Sequence, residues 1–212
     1  MKEYYCYDGN DVPVYYSEFS LFKPKQAEIF NKRFVDELDY RLEHFRKRCA
    51  ADMNVSINAL DYSHNSLLIV WQWFMNNVSL QRITDEKELN ACKISANMGG
   101  DPLWEEFTKD SKRRMFDIAA YWGKCFIKLA PSLYWSYHAK PKSNVFLYQP
   151  DVRWFHEHST MKILDEVRVI DMDVLFAPVH MVTVQASNVF TKDISKYDLY
   201  NVHKIWLEKI PK

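Results

Sequence analysis

The amino-acid sequence predicts a helix-rich α+β fold, with a β-hairpin at the N-terminus and a small antiparallel sheet in the second half. Apolar residues recur at helical spacing along the first part of the chain, and the pattern becomes strand-like after Pro131. Aromatic residues make up 16% of the 212 residues, so the chain can bury a large core rich in rings. We expect a single domain over residues 1–212, with residues 97–101 as the candidate internal boundary.

The N-terminal hairpin is predicted from residues 4–7 and 12–16, which are rich in β-favouring side chains. Asp8-Gly9-Asn10 lies between them, and Asp-Gly is a strong turn signal because glycine accepts positive φ freely. Pro13 cannot donate a backbone hydrogen bond, so the second strand is expected at a sheet edge.

Start and stop signals divide the helical part of the chain into about five helices. Pro24 suits the first turn of a helix that reaches Arg48. Its apolar stripe consists of Phe30, Phe34, Leu38, Leu42 and Phe45. Ser63 is the predicted cap of a second helix, which is apolar nearly all round and ends at Asn76-Asn77.

Later helices have equally plain signals. Thr84 is the predicted cap of a short helix. Asp101-Pro102 restarts a longer one that ends near Leu129, either continuous or broken near Lys109. Trp104 and Trp122 fall on the buried face of that longer helix, while Ser195 opens the C-terminal helix with a capping box.

Strands are predicted in the second half at residues 133–138, 145–148 and 167–170. A turn at residues 140–143 joins the first two. Residues 178–189 are compatible with a helix beginning at Pro178, but their β-branched side chains also permit a strand.

Glycine is scarce, and its placement excludes two common nucleotide-binding motifs. The chain has only Gly9, Gly99, Gly100 and Gly123. A P-loop or a dinucleotide fingerprint needs several closely spaced glycines, because side chains would keep the backbone away from the phosphates. We therefore expect no cofactor. Gly123 costs its helix about 1 kcal/mol relative to alanine, which indicates close approach by another part of the chain or by a ligand.

Charge and hydropathy restrict the partners further. The formal net charge is zero, so the basic excess typical of nucleic-acid-binding proteins is missing and no nucleic-acid partner is expected. The longest nearly apolar run, residues 67–75, is too short to cross a bilayer, and the first residues carry no apolar signal-peptide region. The scattered cysteines are expected to be free thiols, which fits a cytoplasmic protein.

Two segments carry short aromatic motifs. Residues 60–67 (LDYSHNSL) lead into W-x-W-F at residues 71–74, and residues 117–123 (DIAAYWG) lead to a strand containing Trp135. Together, over roughly residues 25–150, they resemble a family of small uncharacterised bacterial proteins. In that family a Tyr-aromatic-Gly-Glu motif ends the second segment, whereas this chain has Lys124 in place of the glutamate. The resemblance implies a bacterial cytoplasmic protein and brings no activity with it.

His156-Glu157-His158 is the candidate metal site. On a strand, side chains two residues apart project from the same face, so both imidazoles can reach one ion. Asp151, Asp165 or Glu166 can add an oxygen ligand. The alternative is that both histidines are exposed in a loop.

An aromatic cluster is expected where the long helix meets the sheet, and its members are Trp135, Tyr137, Trp154 and Tyr121. Strand 133–138 places aromatic residues on both of its faces. One face can line the core while the other binds a partner, because Tyr and Trp dominate interface hot spots. The alternative is a sheet covered by helices on both faces.

The sequence favours a non-enzymatic protein-binding module, an adaptor or neutraliser of a partner protein in a bacterial cytoplasm. No catalytic residue is assigned, and whether the chain is an enzyme stays open. One alternative is a metal-dependent hydrolase that uses the His156 and His158 region. The other is a structural subunit of a homo-oligomer.

Overall fold

The computed structural model describes residues 16–97, 104–139, 146–163 and 166–211. Short 3-10 helices lie at Tyr16–Leu21 and Ile57–Ala59. The α-helices are α1 (Pro24–Met53), α2 (Ser66–Asn77), α3 (Glu86–Asn97), α4 (Lys109–Leu129), α5 (Pro178–Ala186), α6 (Asn188–Thr191) and α7 (Asp198–Leu207). The strands are β1 (Leu80–Arg82), β2 (Glu105–Phe107), β3 (Tyr134–Tyr137), β4 (Pro150–Ile163) and β5 (Glu166–Phe176).

The strands form two small antiparallel sheets, which confirms the helix-rich α+β class. β1 pairs with β2, with Leu80 opposite Phe107. The second sheet has the order β3-β4-β5, so the long strand β4 lies in its centre. β3 covers only residues 150–153 of β4, whereas β5 follows β4 along nearly its whole length.

Two predicted strands have a different outcome. Residues 4–15 of the N-terminal hairpin lie outside the described residues, and Tyr16, expected to end its second strand, begins a 3-10 helix. The strand predicted at residues 145–148 is wrong for its described part, where Leu147 makes one isolated bridge to His138. Tyr148 has a φ of 63°, a left-handed conformation that ends extended backbone.

The core is aromatic, as predicted, and lies between α1, α2, α4 and the second sheet. The predicted stripe of α1 is buried along its whole length, from Phe30 to Phe45. Trp71, Trp73 and Trp122 are 0% exposed. The longest helix, α1, has 30 residues with a polar outer face. No helix among the described residues is both long and apolar enough to cross a membrane.

The structure places Trp104 differently from the prediction. It was expected inside a helix beginning near Asp101, but it precedes β2 and is 43% exposed. Pairing of residues 105–107 with β1 replaces the first predicted helical turns, and α4 begins only at Lys109. Thr108 caps α4, since its side chain accepts a hydrogen bond from the Ser111 N–H at 3.3 Å.

Residues 178–189, for which helix and strand were both open, form α5 and the start of α6. Pro178 lies in the first turn of α5, where its missing N–H costs nothing. The predicted capping residues of α7 also meet: the Ser195 N–H donates to Asp198 Oδ2 at 2.9 Å. Pro178 thus marks the start of α5, whereas α7 begins at Asp198 with Tyr197 as its N-cap, two residues after the predicted cap.

A buried ion pair joins α1 to α4. Arg41 Nε donates to Asp117 Oδ1 at 2.6 Å, and the two side chains are 8% and 2% exposed. The guanidinium carbon lies 4.8 Å from the centroid of the Phe116 ring, so the cation also rests on an aromatic face. Neither charge can be removed without leaving the other buried among rings.

Candidate functional site

Trp135 and Tyr137, two of the predicted binding residues, are half-buried on β3 and pack against the core. Trp135 meets Phe34 edge to face, with ring centroids 5.0 Å apart. A Cβ on Gly123 would overlap the Trp135 ring, so this glycine makes room for the indole. The indole N–H of Trp135 is buried and has no acceptor among the described residues.

Tyr121, the predicted binding residue on α4, is 0% exposed and belongs to the core. Its hydroxyl donates to Ser66 Oγ at 2.7 Å and accepts from the Tyr62 N–H at 3.0 Å. The rings of Tyr121 and Tyr62 stack with centroids 4.7 Å apart. Burial raises the pKa of Tyr121 well above its usual range. The aromatic motif at residues 60–67 therefore anchors the start of α2 to α4.

Trp154 is the predicted binding residue that reaches the surface, with 49% of it exposed. It lies at an irregularity of β4, where the register shifts between the Val152–Phe176 and Phe155–Val174 pairs. Residues 153 and 154 thus face a single residue of β5, as in a β-bulge. Trp154 has a φ of 80°, a conformation that is a rare outlier for a bulky residue. The bulge turns the indole out of the sheet.

One residue contacts the Trp154 ring, and two more lie next to it in the chain or in the strand pairing. The His156 ring meets the indole edge to face with centroids 5.7 Å apart. Tyr134 is 51% exposed and lies opposite Arg153 in the β3–β4 pairing. We refer to Tyr134, Arg153, Trp154 and His156 as the Trp154 surface.

Asp151 fixes the orientation of Arg153. The guanidinium donates to both carboxylate oxygens, at 2.7 and 2.8 Å. Asp151 is 0% exposed, and burial raises its pKa to about 6 in spite of the arginine. About a third of the Arg153 side chain is exposed. The carboxylate therefore fixes the orientation of the guanidinium and offsets its positive charge.

A stacked pair of histidines, the buried His203 and the half-buried His64, was not predicted from the sequence. Trp122 Nε1 donates to His203 Nδ1 at 2.8 Å, and the His203 ring stacks on His64 at 4.9 Å. Burial, and then the nearby His64, lower the pKa of His203 to about 3. This imidazole is therefore neutral and serves as an acceptor for tryptophan. No sequence signal joins the two histidines, because one lies before α2 and the other on α7.

The predicted metal site is described only in part. His156 lies on β4 beside Trp154, and the side chain of His158 lies outside the described part of the structure. No group of three or more His, Cys, Asp or Glu side chains suited to a metal ion occurs among the residues that the structure describes. The strand pairing does place Asp173 opposite His156 and Asp171 opposite His158.

The structure thus separates the four predicted binding residues. Trp135 and Tyr137 line the inner side of the sheet, Tyr121 lies inside the helical core, and Trp154 stands at the surface. No family model, curated protein or solved structure matches this chain, so the resemblance to uncharacterised bacterial proteins stays a prediction.

Proposed function

We propose that this chain is a non-enzymatic protein-binding module of a bacterial cytoplasm, and that its Trp154 surface docks on a partner protein. The observation that carries the proposal is the backbone of Trp154. A large aromatic residue occupies a left-handed conformation while half of it is exposed to solvent.

The energetics favour a role outside folding. A left-handed backbone costs an L-residue roughly 1–2 kcal/mol. A half-exposed indole recovers only part of that cost through burial. Strained residues that persist without a folding benefit are concentrated at binding and catalytic sites. An exposed tryptophan is also the commonest kind of interface hot spot, since it buries a large area with few rotatable bonds.

The residues next to Trp154 limit the kind of partner surface that fits. Arg153 is partly exposed and is paired with Asp151. The backbone N–H of His156 donates to the Lys209 carbonyl at 2.8 Å, and the Lys209 ammonium lies 5.7 Å from the centroid of the Trp206 ring. The matching partner surface is an apolar pocket for the indole with a polar rim. Burial of the ring would supply most of the affinity.

Site-specific photo-crosslinking tests the proposal. A photoreactive phenylalanine analogue replaces Trp154 in full-length protein expressed in its native host, and the crosslinked species is identified by mass spectrometry. The identified partner is then purified, and its affinity for the wild type and for Trp154→Ala is measured by calorimetry. The expected loss in Trp154→Ala is about thirtyfold, the factor that corresponds to a hot spot worth about 2 kcal/mol.

Trp104 offers a matched control, because it is 43% exposed and lies outside the Trp154 surface. The same analogue at position 104 should not capture the partner, and Trp104→Ala should bind it with an affinity within about twofold of the wild type. Crosslinking at 154 that is no stronger than at 104 would refute the proposal. Capture of a second copy of the chain at position 154 would refute the adaptor and indicate a homo-oligomer.

A further inference from the structure

Four rings lie one against the next where α7 meets the start of α2 and the end of α4. The His64 ring contacts Tyr200 and His203 of α7, with ring centroids 3.7 and 4.9 Å away. His203 in turn stacks on Phe126 of α4 at 4.3 Å. We refer to Tyr200, His64, His203 and Phe126 as the His64 stack. His64 itself lies in the turn just before α2, so the stack joins three parts of the chain.

The nitrogen atoms of His64 are turned away from solvent. Both Nδ1 and Nε2 are buried and have no hydrogen-bond partner among the described residues, although the residue as a whole is half-buried. A buried polar group that lacks a partner destabilises the folded state. The other histidine of the stack differs, because His203 Nδ1 accepts a hydrogen bond from Trp122 Nε1 at 2.8 Å. His64 therefore meets α7 as a flat ring, and only the neutral form suits this contact.

Among the described residues, the ionisable groups that face His64 come from α7. They are Tyr200, His203 and Lys204, and the Lys204 Nζ lies 5.4 Å from the centroid of the Tyr200 ring. Helix α2 contains no ionisable side chain, and α4 presents only the uncharged rings of Phe126 and Trp122 to His203. On the loop of His64 itself, the exposed Asp61 accepts a hydrogen bond from the Ser63 N–H at 2.9 Å. A positive charge on His64 would thus meet another positive charge at Lys204.

We propose that His64 is a pH sensor, which holds α7 against α2 and α4 while it is neutral and releases α7 when it is protonated. A protonated imidazole carries two N–H donors, and both would be buried without acceptors near the positive Lys204. Turning the ring out to water satisfies both donors, but it removes the contacts of His64 with Tyr200 and His203. Once released, His203 takes a second proton, because Trp122 no longer occupies its Nδ1. Both protonations therefore favour the same open form.

The direction of the pH dependence follows from the two lowered pKa values. In the closed form, burial and then Lys204 hold the pKa of His64 below its usual value, and that of His203 is about 3. In the open form both rings lie in water and titrate near about 6.5. The open form therefore binds more protons as the pH falls below that value, and the closed form is progressively lost. Each histidine should raise the open fraction by up to about tenfold between about pH 7.5 and 5.5.

Native-state hydrogen exchange of the full-length protein tests the release of α7. Exchange of the α7 amides, followed by NMR and corrected for the intrinsic pH dependence of exchange, gives the open fraction at about pH 7.5 and 5.5. His64→Phe is the decisive variant, because phenylalanine keeps a ring in the stack and cannot take a proton. Since it also removes two buried nitrogens that lack partners, the variant should fold at least as stably as the wild type at neutral pH. Its α7 opening should rise up to about tenfold less than that of the wild type over this pH range.

Two controls and one direct measurement complete the test. His44→Phe changes an exposed histidine of α1 and should follow the wild type, and the α1 amides should stay protected while α7 opens. Equal pH responses in wild type and His64→Phe would overturn the proposal, as would α7 amides that exchange only together with those of α1. In wild type, a pKa of His64 at or above about 6.5 in an NMR titration of its ring protons would overturn it as well. None of these results involves a docking partner, so the sensor and the Trp154 surface can fail separately.

Discussion

The helical core and the β3–β5 sheet differ in the exposure of their strained aromatic residues. In the core, the buried Arg41 bonds the buried Asp117, and the buried Trp73 donates through Nε1 to the exposed Asp52 Oδ2 at 2.8 Å, whereas Asn31 Oδ1 is buried without a partner among the described residues. In the sheet, the buried Trp135 N–H has no acceptor among the described residues, and Trp154 holds a left-handed backbone. Matched groups stabilise the fold, whereas tolerated strain and an exposed ring indicate selection for another purpose. Positive φ also occurs at Tyr62 and Tyr148, but those rings are half-buried and buried, whereas Trp154 is 49% exposed.

The largest expected effect is loss of the buried ion pair in the core. Asp117→Ala removes one partner and leaves Arg41 charged among rings, so the free energy of unfolding should fall by about 3–5 kcal/mol. Urea denaturation followed by circular dichroism measures it. Asp39→Ala provides the control, because Asp39 is 81% exposed and bonds Lys124 at the surface. That variant should lose less than about 1 kcal/mol. Equal losses would mean that the core is no more dependent on matched charges than the surface.

The second effect is a pH dependence that originates in the core. The pKa of His203 is about 3 in the fold, whereas an unfolded histidine titrates near 6.5. Between these values the unfolded chain binds more protons, so stability falls as the pH drops from about 6.5 towards 3. One proton contributes at most about 1.4 kcal/mol per pH unit. From pH 6.5 to 4.5, wild type should therefore lose about 2 kcal/mol more than His203→Gln, whose amide oxygen can still accept from Trp122.

Asp151 acts in the opposite direction and must be separated from His203. Its pKa rises from 3.8 to about 6 in the fold, so the folded protein binds that proton first and acidification over this range favours folding. Comparing wild type with His203→Gln cancels the contribution of Asp151, which both proteins share. Parallel stability curves for the two proteins would contradict the assignment to His203. His44→Gln, at an exposed position on α1, should follow the wild-type curve.

The helical core could be predicted largely because its signals are local. The α1 stripe, the start of α5 at Pro178 and the Ser195–Asp198 cap depend on residues a few positions apart. Trp104 was misplaced because β1, more than twenty residues upstream, pairs with residues 105–107 and overrides the helical pattern. Long-range pairing leaves little trace in one short segment.

The candidate site was less predictable for the same reason. The predicted site grouped four aromatic residues by their chemistry, namely Trp135, Tyr137, Trp154 and Tyr121. In the fold, the Tyr121 hydroxyl bonds Ser66 and the Trp135 ring packs against Gly123. The bulge that exposes Trp154 depends on the β5 register. The His203–His64 stack depends on the packing of α7, and neither position shows an apolar or metal-ligand pattern that reveals it.

A third and smaller effect tests the contact between helix and sheet. Gly123→Ala should gain about 1 kcal/mol of helix propensity and lose more through overlap with Trp135, for a net loss of about 1–2 kcal/mol. In a Trp135→Leu background the overlap disappears, and the alanine should become neutral or stabilising. A double-mutant cycle by urea denaturation measures this coupling. Additive effects would show that the close approach of the indole is not what requires glycine.

The smallest effect should come from the strained position itself. Glycine adopts a φ of 80° without steric cost, so Trp154→Gly should relieve roughly 1–2 kcal/mol of backbone strain. This relief should offset most of the stability that is lost with the half-buried ring. Trp104→Gly lacks this relief, and it should be less stable than Trp154→Gly by about 1–2 kcal/mol in thermal or urea denaturation. Equal losses would remove strain as an argument for binding. If Trp154→Gly folds as stably as wild type yet fails to bind the partner captured at position 154, the indole is retained for recognition and not for folding.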